Sequence, residues 1–327
     1  MKKNIVSKNQ ILITSVYRSG SEFFSTLLNL HPNISSTMYR INFMRYIFNK
    51  YNLKNKKINY KKIISDLQKR LLKKYQIKID KIKFEKLINN KSYGEIYDII
   101  MTEFYLKKNK NIWSEKNQLQ WREIPEFLKI MKNGKSIHIL RDPRAVMLSY
   151  KKFTYHKKPA YLGSAFNSVD AMYHIQCHLK KLKKSFMFVR YEDLIFNKVK
   201  TMNKIWDFLN VKRIRKLDIK KLTDGNGKKW KSNTTQISKK FDENLTLNSW
   251  KNELSKDEII FVETICHKYM KKFGYNFYFF DNKIDHSKIK KLLKKNKKLA
   301  NVYNFWYKNN YKLGFQSYPV NPISKIG

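Results

Sequence analysis

The sequence predicts an α/β fold built on a central parallel sheet with helices on both faces, and three segments predict it. Ile11–Val16, Ser136–Leu140 and Phe186–Val189 are short, nearly continuous apolar runs, the pattern of strands buried on both sides. Each runs within a few residues into helical spacing. The repeating unit is therefore strand, short polar loop, helix.

Taken in order, the first strand is followed by Tyr17-Arg-Ser-Gly-Ser21. An apolar stripe at Phe23, Phe24, Leu27 and Leu28 comes next and ends near His31-Pro32. His31 reads as a packing residue at that helix end. From about residue 42 to 111 the texture turns to Lys- and Asn-rich amphipathic segments. One stripe is Ile63, Ile64, Leu67 and Leu71; another is Ile96, Ile99, Ile100 and Phe104. No Pro/Gly/Ser linker bounds this stretch, so it reads as a helical insertion, not a separate domain. After the second strand, Asp142-Pro143 supplies an N-cap and a first helical position. The third strand leads through Arg190-Tyr-Glu-Asp-Leu194 to a helix at Val199, Met202, Ile205, Trp206 and Leu209. Ser255-Lys-Asp-Glu258 is a capping box opening a helix that Gly274 can close. One domain is expected over 1–282, with a lysine-rich, aromatic extension over 283–327 that carries a stripe at Ile289, Leu292 and Leu293.

At 327 residues, 42% hydrophobic and 15% aromatic, the chain can bury a substantial core, which excludes wholesale disorder. Its two cysteines, Cys177 and Cys266, exclude a disulfide scaffold and a zinc cluster, and both read as buried thiols. No apolar run is long enough to span a bilayer, and the polar stretch Met1–Gln10 has no signal-peptide core, so the expected address is cytoplasmic. The net charge of +45 suggests a polyanion partner on its face. Yet Arg is scarce among the basic residues, and Lys, Asn and Ile share A/T-rich codons. The lysines also run from Lys2 to Lys325. Codon bias with a solvated surface accounts for the charge as well as a functional basic face does. No nucleic-acid motif is present; peripheral contact with an anionic membrane stays open.

The chemistry starts at Tyr17-Arg-Ser-Gly-Ser21. A small-residue loop between a buried strand and a helix aims backbone N–H groups and the positive helix end at one point, which suits a phosphate. Ser19, Ser21 and Ser25 can add hydroxyls and Arg18 a charge; an ordinary strand-to-helix turn is the competing reading. A Walker lysine is missing after Gly20, which disfavours magnesium-dependent phosphoryl transfer. A second anion position is offered by Arg141 at a strand end and Ser149 about two turns along the following helix.

Together these segments resemble the sulfotransferases that use 3′-phosphoadenosine 5′-phosphosulfate (PAPS). The matches run in order from Ile11 to Tyr275: Arg18-Ser-Gly-Ser21, Leu30-His-Pro-Asn-Ile34, Glu115-Lys116, Arg141 with Ser149, Tyr191-Glu-Asp-Leu194, and Gly227-Lys-Lys-Trp-Lys-Ser-Asn-Thr234. Arg18 stands where the family loop usually has Lys, as in the tyrosylprotein and some carbohydrate branches. The resemblance implies a three-layer, P-loop-NTPase-like sandwich. It implies a donor site at Arg18, Ser19, Gly20, Ser21, Glu22 and Phe23 for the 5′-phosphosulfate, with Arg141 and Ser149 for the 3′-phosphate. Tyr191 and the loop Gly227, Lys228, Lys229 and Trp230 complete it. The reaction implied is in-line sulfuryl transfer from PAPS to a hydroxyl or amine acceptor, with adenosine 3′,5′-bisphosphate (PAP) leaving and no metal required. Arg18, the loop amides and Lys116 would stabilise the growing negative charge.

The general base is less direct. The family often places a Glu after the His-Pro, where this chain has Ser35-Ser-Thr-Met-Tyr-Arg40. Cytosolic members use a His two residues after a Lys, where this chain has Gln118. Glu115 is the remaining expectation, a structural salt bridge its competing role, with Glu22 and His156 in reserve. The basic insertion and the 151–165 segment favour a polar acceptor such as a glycan over a phenol or steroid. Two alternatives stand beside this reading: a polyanion- or nucleic-acid-binding protein, and a PAP-binding homologue that has lost catalysis.

Overall fold

The structure is a computed structural model that describes residues 9–37, 41–51, 58–107, 109–153, 160–214, 217–218, 221–223, 247–311 and 313. Five strands form one parallel sheet: β1 (Asn9–Ser15), β2 (Ile34–Thr37), β3 (Ile112–Gln118), β4 (Gly134–Leu140) and β5 (Phe186–Arg190). Their order is β2-β3-β1-β4-β5, with every neighbouring pair parallel. From β1 the chain crosses to the edge strand β2, returns inward to β3, and then passes over β1 to β4 and β5 on the other side. The C-terminal end of β1 is therefore the topological switch point, where open α/β sheets bind ligands.

β1, β4 and β5 are the three apolar runs read from the sequence. β2 and β3 are not readable in that way. β3 reads Ile-Trp-Ser-Glu-Lys-Asn-Gln, yet only its last residue is not fully buried. Several of its polar groups find partners far along the chain: Ser114 Oγ donates to Ser36 Oγ at 2.6 Å and Lys116 Nζ to Glu22 at 2.9 Å.

Strand alternation splits the core in two. Ile11, Ile13, Ile137 and Ile139 face α1 (Ser21–Asn29), with Phe23, Phe24, Leu27 and Leu28 packed against them. Leu12 and Trp113 face the other way, onto the helices α2 (Tyr60–Tyr75), α3 (Lys81–Ile88) and α4 (Tyr93–Phe104) that form the insertion. Both predicted stripes lie here, on α2 and α4. After α5 (Ile124–Ile130) and β4, α6 (Pro143–Phe153) and α7 (Gly163–Lys181) continue that layer. β5 passes straight into α8 (Tyr191–Phe196) and α9 (Lys198–Phe208). The Ser255 capping box is present and opens α10 (Lys256–Met270), and Gly274 sits left-handed after it at φ 80°. Two further helices, α11 (His286–Leu293) and α12 (Lys297–Lys308), lie beyond. Cys266 is buried, but Cys177 on α7 is partly exposed, so only one of the two thiols is a core residue. No helix among the described residues is long and apolar enough to cross a membrane.

Candidate functional site: the loop after β1 and its neighbours

Gly20 fixes the loop. It adopts φ 84° as the N-cap of α1, and a Cβ there would lie 2.1 Å from Cδ2 of Tyr191, so no other residue fits without displacing that ring. Arg18 also takes a left-handed conformation, at φ 67°. The loop is thereby wound tightly enough to bring the first amides of α1 to the C-terminal edge of β1. Ser21 hydroxyl oxygen accepts from Ser15 Oγ at 3.0 Å and from Gln118 Nε2 at 3.2 Å, tying the loop to both β1 and β3. Ser25 is committed within the helix, donating to the Ser21 carbonyl at 3.0 Å. Phe23 turns into the core against Tyr191, ring centres 6.4 Å apart, so only its backbone N–H can face an anion.

The two anion positions read separately from the sequence meet in the structure. Arg18 Nε donates to Ser149 Oγ at 3.0 Å, and Arg141 Nη1 donates to the Arg18 carbonyl at 2.8 Å. The Arg141 guanidinium lies 4.8 Å over the ring of Tyr191. Burial pulls the Arg18 guanidinium below its ordinary pKa, and the neighbouring charge of Arg141 acts in the same sense, while Glu22 opposes both. Two like charges held together at two helix N-termini make an arrangement that an anion relieves. This donor set fits a nucleotide with phosphate groups at two positions. Among the described residues, no group of His, Cys, Asp and Glu is placed to hold a metal ion.

Glu115 and Lys116 part company. Side chains alternate along β3, so the two neighbours in sequence point to opposite faces of the sheet. Lys116 is on the α1 face with Gln118, only 1% exposed and paired with Glu22 at 2.9 Å; Glu22 itself is 35% exposed. Glu115 is on the insertion face and fully buried. Its Oε1 accepts the Asn42 backbone N–H at 2.7 Å, its Oε2 accepts from Asn117 Nδ2 at 3.0 Å, and the Tyr97 hydroxyl donates to the same oxygen. Desolvation pushes its carboxyl above the ordinary range. The expectation that this one segment serves both ends of the transfer is therefore corrected: Glu115 anchors the start of the insertion to the sheet, and only Lys116 faces the loop.

Residues that the sequence reading left out also build the site. Glu192 accepts the Asp142 N–H at 2.9 Å and the Tyr275 hydroxyl at 2.9 Å, fixing the peptide that follows Arg141. Its place in Tyr191-Glu-Asp-Leu194 was the available signal. His31 is the packing residue expected, its Nδ1 accepting from Asn33 N at 3.1 Å and its Nε2 donating to the Lys212 carbonyl at 3.0 Å. Gly227, Lys228, Lys229, Trp230 and His156 lie outside the described residues.

A five-stranded parallel sheet with a phosphate-type loop at its switch point defines a P-loop-like α/β nucleotide-binding protein. The sequence matches the sulfotransferase family over residues 10–214, more than half of the chain, and the protein belongs to that family. It is thus an enzyme of sulfuryl transfer, with PAPS as donor and PAP as product. Among solved structures it is similar to the sulfotransferase domain of the Synechococcus PCC 7002 olefin synthase, at 19% identity and TM-score 0.49, over 81% of this chain and 97% of that one. The sulfotransferase domain of the curacin biosynthetic pathway is similar at 19% identity and TM-score 0.48, over 82% and 98%. Mouse sulfotransferase SULT7A1 complexed with PAP is similar at 15% identity and TM-score 0.45, over 80% and 85%. No curated protein matches the chain.

Proposed function

We propose that this sulfotransferase acts on a hydroxyl of a polar acceptor of the glycan class, with its donor held by Arg18, the amides of Ser19 to Ser21, Arg141, Ser149 and Tyr191. The observation that carries the donor assignment is the meeting of Arg18, Arg141 and Ser149 at the switch point of the sheet. PAPS, when bound, supplies the sulfuryl group. Lys116 and Arg18 hold the negative charge that builds on the leaving side, from positions fixed before reaction. We assign Gly227, Lys228, Lys229 and Trp230 to the same donor site on sequence grounds.

Glu22 takes the part of general base in this reading. Glu115 would have to give up three partners and cross the sheet, whereas Glu22 is the partly exposed carboxylate on the α1 face, ion-paired to Lys116. An anion that engages Lys116 frees the Glu22 carboxylate beside the reacting group, where it can accept the acceptor's proton. Support for a polar acceptor comes from the insertion, where Arg70 lies 4.1 Å and Arg45 5.3 Å from the ring centre of Tyr46. Both are arginines in a chain whose basic residues are overwhelmingly lysine. Two free cysteines suit a reducing compartment, in keeping with a cytoplasmic address.

The test is a screen of saccharide, phenol and steroid acceptors with radiolabelled PAPS. Transfer to saccharides supports the reading; exclusive transfer to phenols or steroids refutes the acceptor assignment. On the active acceptor, Glu22→Gln is expected to lower kcat by about 10²–10⁴ with PAP affinity nearly unchanged. Glu115→Gln is expected to retain kcat.

A further inference from the structure

The helices α11 and α12 form a layer of their own. They pack on α10, which in turn packs on α6 and α7, so they sit away from the sheet edge that carries the donor loop. Ile289, Leu293, Leu299, Val302 and Trp306 are buried and join the main core cluster. Trp306 also stacks on Tyr303 with ring centres 5.7 Å apart, and His286 Nδ1 bonds the Tyr303 hydroxyl at 2.5 Å. The inner face of this pair of helices is thus accounted for.

The outer face is not neutral. Between residues 283 and 308 there are nine lysines, all exposed, and one acidic residue, Asp285, which pairs with Lys288 at 3.4 Å. Nine basic residues in 26, with one acidic residue among them, is denser than the chain's own 70 in 327. Lys290 and Lys291 are exposed on α11, Lys294 and Lys295 in the turn that follows it, and Lys297 and Lys298 at the start of α12. Phe305 and Tyr307, 39% and 46% exposed, lie near the far end of α12, next to Lys308. No arginine occurs after Arg215. The planar forks that grip individual phosphates in nucleic acids are therefore missing here, while point charges on flexible stems remain, with exposed rings at the far end of α12. That combination matches a diffuse anionic interface whose headgroups attract lysine and whose boundary accommodates aromatic rings.

We propose that the outer face of α11 and α12 docks the protein on an anionic lipid bilayer. The inference goes beyond the sulfuryl-transfer reading and does not depend on it. Co-sedimentation of the full chain with phosphatidylcholine vesicles, with and without phosphatidylserine, tests it directly. Binding is expected only where phosphatidylserine is present, and it should fall steeply with salt in the unmodified protein. Changing Lys291, Lys294 and Lys295 together to Gln should lower the partition coefficient at least about tenfold, while the same change at Lys61, Lys69 and Lys86 on the insertion helices should leave it within about twofold. All six lysines are exposed, so both triple variants should melt like the parent. Equal losses from the two variants would assign the attraction to net charge alone and overturn the proposal. Equal binding to neutral vesicles would also overturn it. So would an RNA of matched phosphate content that strips the protein from the vesicles and whose own binding depends on Lys291, Lys294 and Lys295.

Discussion

Arg141 does two things at once: it stacks on Tyr191 at 4.8 Å and closes the loop through the Arg18 carbonyl at 2.8 Å, while Arg18 in turn reaches Ser149. A lysine keeps the charge but neither the planar stack nor the fork. Both Arg141→Ala and Arg141→Lys are therefore expected to weaken PAP binding, by about 1.5–3 kcal/mol for the alanine, measured by calorimetry. Adenosine 5′-phosphosulfate, which lacks the 3′-phosphate, should bind the parent more weakly than PAP and lose little further in the variants. Equal affinity of the parent for both nucleotides would remove the 3′-phosphate from this position. Glu115 makes the opposite kind of prediction, one about stability. Burial raises its carboxyl above the ordinary value of 4.5, so the folded chain keeps the proton when the unfolded chain has lost it. Its contribution to stability is greatest below that value and falls as pH rises through it. Glu115→Gln should flatten this part of the stability curve in urea titrations across acidic pH. It should also cost about 1–3 kcal/mol at neutral pH, because a single amide oxygen cannot accept from Asn42, Asn117 and Tyr97 together.

At the scale of elements, α1 is held at both ends by side chains from distant segments. Its first turn is clamped by Tyr191 under Gly20; its last is capped by Lys110, whose Nζ donates to the carbonyls of Asn29 at 3.3 Å and His31 at 3.1 Å, and to that of Ile34. Burial, helped by the charge of Lys107, draws Lys110 down from 10.5 to about 8. Between those values the unfolded chain binds more protons than the folded one, so stability should rise with pH from about 8 to 10.5 and gain nothing from this group below 8. Lys110→Met should remove that slope and cost roughly 1–2 kcal/mol for the uncapped carbonyls, read from thermal melts at a series of pH values. The same scale explains what the sequence disclosed. β1, β4 and β5 were legible because buried parallel strands are apolar without interruption, and Arg18, Arg141 and Ser149 because each sits at a strand end or on the helix after it. β3 was hidden by Ser, Glu, Lys and Asn, whose partners Ser36, Glu22, Tyr97 and Asn42 lie far away in the chain. Adjacent in sequence, Glu115 and Lys116 read as one functional pair, although the strand turns them to opposite faces of the sheet.

Across the whole molecule, a chain of buried ions ties the start of α6 to the segment that precedes the last helices. Arg144 holds Asp142 through Nε at 3.0 Å and Nη2 at 2.7 Å, and its Nη1 donates to Glu263 at 2.6 Å. Glu263, fully buried on α10, accepts the backbone N–H groups of Tyr278, Phe279 and Phe280 at 2.7, 2.9 and 2.8 Å. The peptide after Arg141 is thereby coupled to the segment that leads into α11. Glu263→Ala leaves three backbone amides without their acceptor and Arg144 with Asp142 as its remaining carboxylate partner, which should cost about 3–5 kcal/mol at roughly 1–1.5 kcal/mol for each orphaned amide. PAP at a hundred times its Kd returns only about 2.7 kcal/mol by mass action. The variant saturated with PAP should therefore still melt below the ligand-free parent, in a single calorimetric transition that the nucleotide shifts as a whole. Should the parent instead unfold in two steps, with PAP moving only one, the terminal helices would be a separate unit and the ion chain would not couple them to the donor site. A Glu263→Ala protein that melts at the parent temperature would show that its carboxylate stabilises nothing beyond what water supplies.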